Sequence, residues 1–366
     1  MDIKSLDDTI DWQNDCKTKI KKNINEFCNA GVSLDVKDNK GERTPLHYAA
    51  EYCSSDVVAL LISCGALTAL RGKDDWAPLH FAVRGNKPDN VKCLLRYSVS
   101  GVENLKDKWG RTALDLAAHD GKTDIVKILC DFNPNLINKQ NNYGWAALHY
   151  AAFYNYEEML DYLIEHGANL NIKTNKEKTP LNLAIKYHWH ECSIIRKLIE
   201  RGTDVKGQSD ALNWAVGVRD KKMVEKLLGL GAVPDNETLV HAVSQEQIQI
   251  VKIFLDGYPD IVNLQEDGPL KHAPLHVAVL KDNPKIVKML IERGADVDLK
   301  DSVGRTPFYM AMKVSKNPEI IKLFKNADKI RVRYLKRHPQ VSIAPKTLVP
   351  HNDVKVEAIS IKHTRC

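Results

Sequence analysis

Two kinds of apolar spacing alternate along the chain. The short kind is Leu-x-x-Ala, as in Leu46 and Ala49, which puts both side chains on one face of a helix. The long kind follows the i, i+3, i+4 rhythm of an amphipathic helix, as in Val57, Val58, Leu60 and Leu61, or Ile286, Val287, Leu290 and Ile291. The long segments end at glycines suited to a left-handed cap: Gly65, Gly167, Gly202, Gly231 and Gly294. Proline marks the starts. Pro45 follows Thr44, a capping type, while Pro88, Pro284 and Pro318 stand where second helices would begin. Proline suits the first turn because the N–H it lacks would have no partner there. The predicted unit is a pair of helices.

That unit recurs. Thr44-Pro45-Leu46-His47-Tyr48-Ala49 returns as Ala77-Pro78-Leu79-His80-Phe81-Ala82, Thr112-Ala113-Leu114-Asp115-Leu116-Ala117, Ala146-Ala147-Leu148-His149-Tyr150-Ala151 and Thr179-Pro180-Leu181-Asn182-Leu183-Ala184. Weaker copies stand at Ala211–Ala215 and Thr238–Ala242, and stronger ones at Ala273–Ala278 and Thr306–Ala311. The marker residues Leu46 through Phe308 advance in steps of 33, 35, 34, 33, 31, 27, 36 and 33. A period near 33 with T-P-L-H-x-A resembles the ankyrin repeat over roughly residues 20–324.

The resemblance implies an all-α ankyrin-repeat solenoid of about nine helix-turn-helix repeats with β-hairpin fingers, followed by a basic C-terminal extension. A lone repeat cannot bury its apolar face, so stability comes from stacking, and the ends need caps. Residues 1–39 are expected to supply one cap through Ile20, Ile24, Phe27 and Gly31. The array is expected over 40–325 and a basic tail over 326–366. Steps of 31 and 27 leave no room for full fingers at Gln208-Ser209 and Pro234-Asp235, and the step of 36 holds an enlarged connection, Tyr258–Asn263. Irregular stacking is therefore expected at about 205–270.

Charge and cysteine refine this picture. The net charge is +6, and residues 326–366 carry nine Lys or Arg against three acids, so the body is neutral. A neutral body argues against a nucleic-acid binder. No two of the eight cysteines form a C-x-x-C pair, and most sit in apolar helical patterns, which reads as free thiols in a reducing compartment. No run of apolar residues is long enough to span a membrane, and the start, MDIKSLDDTI, is acidic where a secretory signal would be basic. The expected location is cytoplasmic, with a nucleus or a host cytoplasm reached by export as variants.

No catalytic signature is present, so the protein is expected not to be an enzyme, and no cofactor is expected. His47, His80, His149 and His276 occupy the motif position, where the resemblance implies that each imidazole bonds to backbone and helps lock one repeat to the next. His188-Trp189-His190-Glu191-Cys192 is the one dense cluster of metal-capable types. Its spacing splits the ligand types between helix faces, and no metal site is expected. Tyr48, Phe81, Leu116, Tyr150, Leu183, Trp214 and Val277, just after the motif histidine position, are expected in the core.

In ankyrin proteins targets dock on finger tips and first-helix ends, which lie three and five residues before the marker and five and six after it. These positions hold Trp76, Trp109, Tyr143 and Trp145 on fingers, and Tyr52, Phe153, Tyr154 and Tyr187 on helix ends. Arg84, Arg111, His119, Lys178 and Lys186 lie among them. Aromatic residues and arginine are the types that anchor interfaces. The expected function is a non-catalytic adaptor or scaffold that binds a partner protein there. Alternatives are a secreted bacterial-type effector or substrate receptor in a host cytoplasm, and nucleic-acid or acidic-surface binding through Lys329, Arg331, Arg333, Lys336 and Arg337. An acidic partner or import receptor would suit that tail, otherwise read as a solvated extension of the last helix. Residues 341–366 lack helical periodicity and are expected to be loose or to carry a short motif.

Overall fold

A computed structural model describes residues 11–12, 17–38, 42–98, 100–190 and 192–337. It is all-α: about twenty helices packed in consecutive pairs, with no strand among the described residues. The chain forms two compact units. One comprises residues 1–214 and 225–233, the other 215–224 and 234–366. The division falls within helices Asp210–Gly217 and Lys221–Gly229, inside the stretch where the repeat step shrinks.

The first unit begins with helix Lys17–Asn29, whose Ile20 and Ile24 are buried. Phe27 is half-buried. Trp12, which the polar segment around it hides in the sequence, is also buried, stacked 6.2 Å from Tyr48. Helix pairs follow at Pro45–Tyr52 and Ser55–Ser63, Pro78–Arg84 and Pro88–Tyr97, and Ala113–His119 and Thr123–Phe132. Then come Ala147–Tyr154 and Glu157–Glu165, and Pro180–Tyr187 and Cys192–Glu200. The Leu-x-x-Ala positions are fully buried, Leu46, Ala49, Leu79 and Ala82 among them. Phe81, Leu116, Tyr150, Leu183 and Trp214 are buried as expected; Tyr48 is only half-buried and spends its hydroxyl on Asp38.

Polar groups tie one pair to the next. Buried Asn90 donates to the carbonyls of Ala50 and Cys53 at 2.9 and 3.0 Å, satisfying the open end of the preceding first helix. His47 accepts from the Thr44 N–H at 3.0 Å, and its Nε2 donates to Leu70 and Trp76 carbonyls at 3.1 Å. His149 does the same with Ala146, Ile172 and Lys178. A protonated imidazole would lose the acceptor that caps the helix. Burial accordingly pushes His47, His80 and His149 down to about 4. Space is also used to the limit. A Cβ on Gly85 would sit 2.2 Å from the Glu51 carbonyl oxygen of the preceding repeat.

Fingers take the form of tight turns rather than regular hairpin strands. One backbone bond closes each: Asp107 N–H to Arg111 at 2.9 Å, Asn141 to Trp145 at 2.9 Å, Thr174 to Lys178 at 3.0 Å. Successive repeats shrink this loop near residue 208, where a short turn, Gln208 N–H to Val205 at 3.1 Å, takes its place.

The second unit carries pairs Asn236–Ser244 and Ile248–Gly257, and Pro274–Leu280 and Pro284–Glu292. The last first helix, Pro307–Met310, runs on as a π-turn to Ser315 before Pro318–Lys325. The enlarged connection is a 3-10 turn, Pro259–Asn263, that buries Ile261 and Val262. Val277 and the lock His276 are buried.

The basic segment departs from the expectation of a solvated continuation. After Asn326 a separate helix, Ala327–Arg337, packs back on Pro284–Glu292. Tyr334 is buried with the Arg293 guanidinium 4.9 Å from its ring centre, and Arg331 donates to the Ala295 carbonyl at 3.1 Å. An amphipathic turn in a highly charged segment explains the difference: Tyr334 and Arg331 share one face, three residues apart. Residues 338–366, including the strand-like Val354–Glu357, lie outside the described residues. No helix among the described residues is long and apolar enough to cross a membrane.

Candidate functional site

Finger geometry decides which side chains stand out. In several fingers the first residue gathers the N–H groups of the residues that follow. Asn141 Oδ1 accepts from Tyr143 and Trp145 at 2.9 and 3.1 Å, and Thr174 Oγ1 accepts from Lys176 and Lys178 at 3.3 and 3.2 Å. Such side-chain turns leave the next residues projecting from a fixed backbone. Gly144, at φ +75°, makes the turn possible, and any Cβ there would meet Asn175 of the next finger. Neighbouring fingers are latched: Asn175 N–H donates to the Tyr143 carbonyl at 3.1 Å, and its amide to Asn142 at 2.9 Å.

The ends of the first helices are tied as well. His188 Nε2 donates to the Phe153 carbonyl at 2.6 Å, joining helix Pro180–Tyr187 to Ala147–Tyr154. The two structures, fingers and helix ends, face a common groove of about 590 Å³. Tyr143, Trp145, Phe153, Lys178 and Tyr187, all expected at a binding surface, line it together. Trp145 packs on Tyr150 and Phe153 with ring centres 4.8 and 5.5 Å apart, and Phe153 on Tyr187 at 4.5 Å. Tyr143 and Tyr187 are nevertheless 58% and 50% exposed: Phe153 holds Tyr187 from one side, and Tyr143 stands out on its hydrogen-bonded turn. Tyr154 continues the cluster, 4.7 Å from Phe153, and meets His119 through a 3.1 Å hydroxyl–imidazole bond.

Other expected residues are placed differently. Trp76 and Arg84 belong to a closed cluster two repeats earlier. Arg84 and Arg43 both lie over the Phe81 ring, each 4.6 Å from its centre. Buried Glu51 accepts from Arg84 Nε at 2.6 Å and also pairs with its Nη2, with Arg43 at 3.5 Å. Trp76 packs on Phe81 at 5.3 Å and is half-buried. Trp109 lies between Lys108 and Arg111, and Arg111 is paired with buried Asp107 at 2.8 Å. Tyr52 is half-buried at the end of its helix. In the second unit Lys329, Arg333, Lys336 and Arg337 are exposed, whereas Arg331 is half-buried.

Lys176, Asn175 and Trp189 also line the groove but were not among the expected binding residues. Lys176 stands five residues before Leu181, so the rule that selected Trp109 and Tyr143 covers it too. Asn175 and Trp189 occupy no such position and carry no comparable signal.

Chemistry of other kinds finds little support. Among the described residues no group of three or more His, Cys, Asp or Glu could hold a metal ion. Glu191 and the Cys192 side chain lie outside the described ones. Cys28, Cys53, Cys64, Cys93 and Cys130 are free thiols; burial pushes Cys53 up to about 11 and Cys130 up to about 12, which suppresses the thiolate needed for nucleophilic work.

Comparison with known proteins fits this geometry. The ankyrin-repeat family pattern matches in three copies, over residues 16–103, 79–174 and 239–333, together well over half of the chain. The chain is 28% identical to human transient receptor potential cation channel subfamily A member 1 over 301 residues, 76% of this chain and 26% of that protein. It is 27% identical to a putative ankyrin repeat protein of Rickettsia felis over 307 residues, 74% of this chain and 78% of that protein. It is 23% identical to the E3 ubiquitin-protein ligase KEG of Arabidopsis thaliana over 78% of this chain and 19% of that one. The chain thus spans about a quarter or less of two of these relatives. A crystal structure of an ankyrin repeat protein aligns at 23% identity and TM-score 0.45, covering 50% of this chain and 93% of its own.

Proposed function

The chain belongs to the ankyrin repeat family, whose repeats are protein–protein interaction modules, and from that premise we propose that it is a non-catalytic adaptor whose partner docks in the groove between the fourth and fifth repeats. The observation that carries this reading is the contiguous aromatic cluster Trp145–Phe153–Tyr187 with exposed Tyr143 beside it. Exposed rings of this kind cost solubility unless a partner covers them. Held by packed rings and hydrogen-bonded turns, they lose little freedom on docking, so a few anchors suffice for affinity.

The test is a double substitution, Tyr143→Ala with Tyr187→Ala, in the full chain. Partner capture should fall at least about tenfold, the loss of one or two anchors, while circular dichroism and the unfolding midpoint stay unchanged. Undiminished capture would move the site elsewhere.

A second reading sets the same surface in an effector or substrate receptor acting in a host cytoplasm. Its support is that the relative matched along most of its own length comes from Rickettsia felis. Reporter fusions that stay inside the producing cell would count against it. The exposed face of Ala327–Arg337 suits an acidic partner or import receptor, and deleting 327–366 tests whether it contributes.

A further inference from the structure

Several cations on the fingers and helix ends of the first unit are neutralised. Lys108 pairs with Asp74, Arg84 with Glu51, Arg111 with Asp107, and Lys173 with Glu177. Three lysines at the groove are not neutralised in this way. Lys176, Lys178 and Lys186 all line the groove, all are exposed, and among the described residues none pairs with a carboxylate. Lys186 does lie 5.2 Å from the Tyr187 ring centre, which holds its ammonium at the mouth of the groove rather than away from it.

The lining is also sided. Tyr143, Trp145 and Phe153 come from the fourth repeat, while the fifth adds Tyr187, Trp189 and all three lysines. Asp210, the acid of this lining, is engaged by the Asn182 amide at 3.5 Å. A ligand crossing from one repeat to the next would meet rings on both sides and cations on the fifth-repeat side alone. The polar remainder, Thr174, Asn175 and Asn182, offers hydrogen bonds of the kind an extended backbone uses.

From this we infer that the groove selects an extended peptide segment of its partner that carries a large apolar or aromatic residue beside acidic residues. The inference rests on the docking reading above and specifies its ligand. Unpaired charge on a receptor steers and selects partners of opposite sign more than it adds raw affinity. A nucleic acid would also present negative charge and stackable rings. Three lysines within one repeat make a short track for a phosphate backbone, however, and Asp210 interrupts it, so the peptide is the occupant favoured.

The experiment is selection of displayed random peptides of about twelve residues on the intact chain, followed by fluorescence anisotropy with the enriched sequences. Enriched peptides should place one aromatic or Leu-sized residue beside two or more acids. Their affinity should fall about tenfold on raising salt and at least about tenfold in K178E/K186E, since screening and reversal act on the same pairs. They should also weaken in Y143A/Y187A. Both substitutions change exposed side chains, and an unaltered unfolding midpoint certifies the fold. Peptides lost in Y143A/Y187A yet indifferent to K178E/K186E would overturn the acidic preference and leave the docking site standing. Peptides indifferent to both would overturn the two together. A failure to enrich any peptide would overturn the inference, as would tighter binding of an oligothymidine than of the best peptide, lost in K178E/K186E.

Discussion

The cluster around Phe81 and the groove around Phe153 are built from the same repeat positions and the same residue types. Each has a finger tryptophan three residues before the marker, Trp76 or Trp145. Each has an aromatic just after the motif histidine, Phe81 or Tyr150, and a basic or aromatic residue at the helix end. Yet the first is closed and the second open. The difference comes from one acid. Glu51, 7% exposed, draws Arg84 and Arg43 together across Phe81 and uses up their charge. Beside the groove the place of Glu51 is taken by His119 and that of Arg84 by Phe153, which turns its ring to Trp145 and Tyr187 instead. Residue type at a contact position therefore says what an anchor would be made of. Whether it is free is decided by the side chains one repeat away.

Acid should blur this contrast most, because both regions hang on the same locks. His47 and His80 underlie the closed cluster and His149 the open groove, all held at about 4 in the folded chain against about 6.5 when unfolded. The unfolded chain therefore binds more protons between those values. Stability from these groups is complete above about pH 6.5 and is lost as pH falls toward 4, on the order of several kcal/mol for the three together. Asp115 runs the other way, since burial raises its carboxyl to about 6, and it offsets part of the loss. Urea unfolding followed by circular dichroism at a series of pH values checks this; a flat profile from pH 7 to about 4.5 would contradict it. His149→Asn, which installs the residue that Asn182 is in the next repeat, should keep the helix cap and flatten the profile.

Within the closed cluster, Phe81→Ala should cost about 3–5 kcal/mol, as a large buried ring leaves a cavity and strands two guanidinium groups. Tyr187→Ala, the matched change in the open groove, should cost under about 1 kcal/mol, since half of that ring already faces water. Denaturant melts of the two variants measure the gap, and equal costs would show that the groove is as tightly packed as the cluster.

Glu51→Ala is the smaller and sharper change. Loss of its charged hydrogen bonds should destabilise by about 1–3 kcal/mol and release Arg84. If freeing that arginine makes the cluster a second docking surface, partner affinity or the number of bound peptides will rise. An Arg84 that stays folded onto Phe81 would show that ring contact alone keeps the cluster shut.

Much of this architecture was legible before any coordinates. Leu46 with Ala49, the T-P-L-H-x-A spacing and the glycine caps specify helix pairs because periodicity and backbone constraint act locally. The shrinking steps near residue 210 likewise gave away the lost fingers. Less legible were features that depend on contacts between distant residues. Trp12 stacks on Tyr48, 36 positions away, with nothing near it in sequence to suggest burial. The helix Ala327–Arg337 was hidden because charge dominates its composition, while one tyrosine and an arginine decide where it docks. Of the thirteen residues expected at the binding surface, Tyr143, Trp145, Phe153, Lys178, Lys186 and Tyr187 gather in one groove. Arg84 and Arg111 are engaged by Glu51 and Asp107, partners that no inspection of a single repeat reveals.

The latches between neighbouring loops carry a mechanical consequence. Asn142, Tyr143 and Asn175 join two tips directly, as Lys108 and Asp74 join another two, so these protrusions behave as a belt instead of separate bristles. Pulling on one tip loads the next before it bends. A ligand seated at a single tip is thereby felt along the row, and a cut in one loop would slacken those on either side.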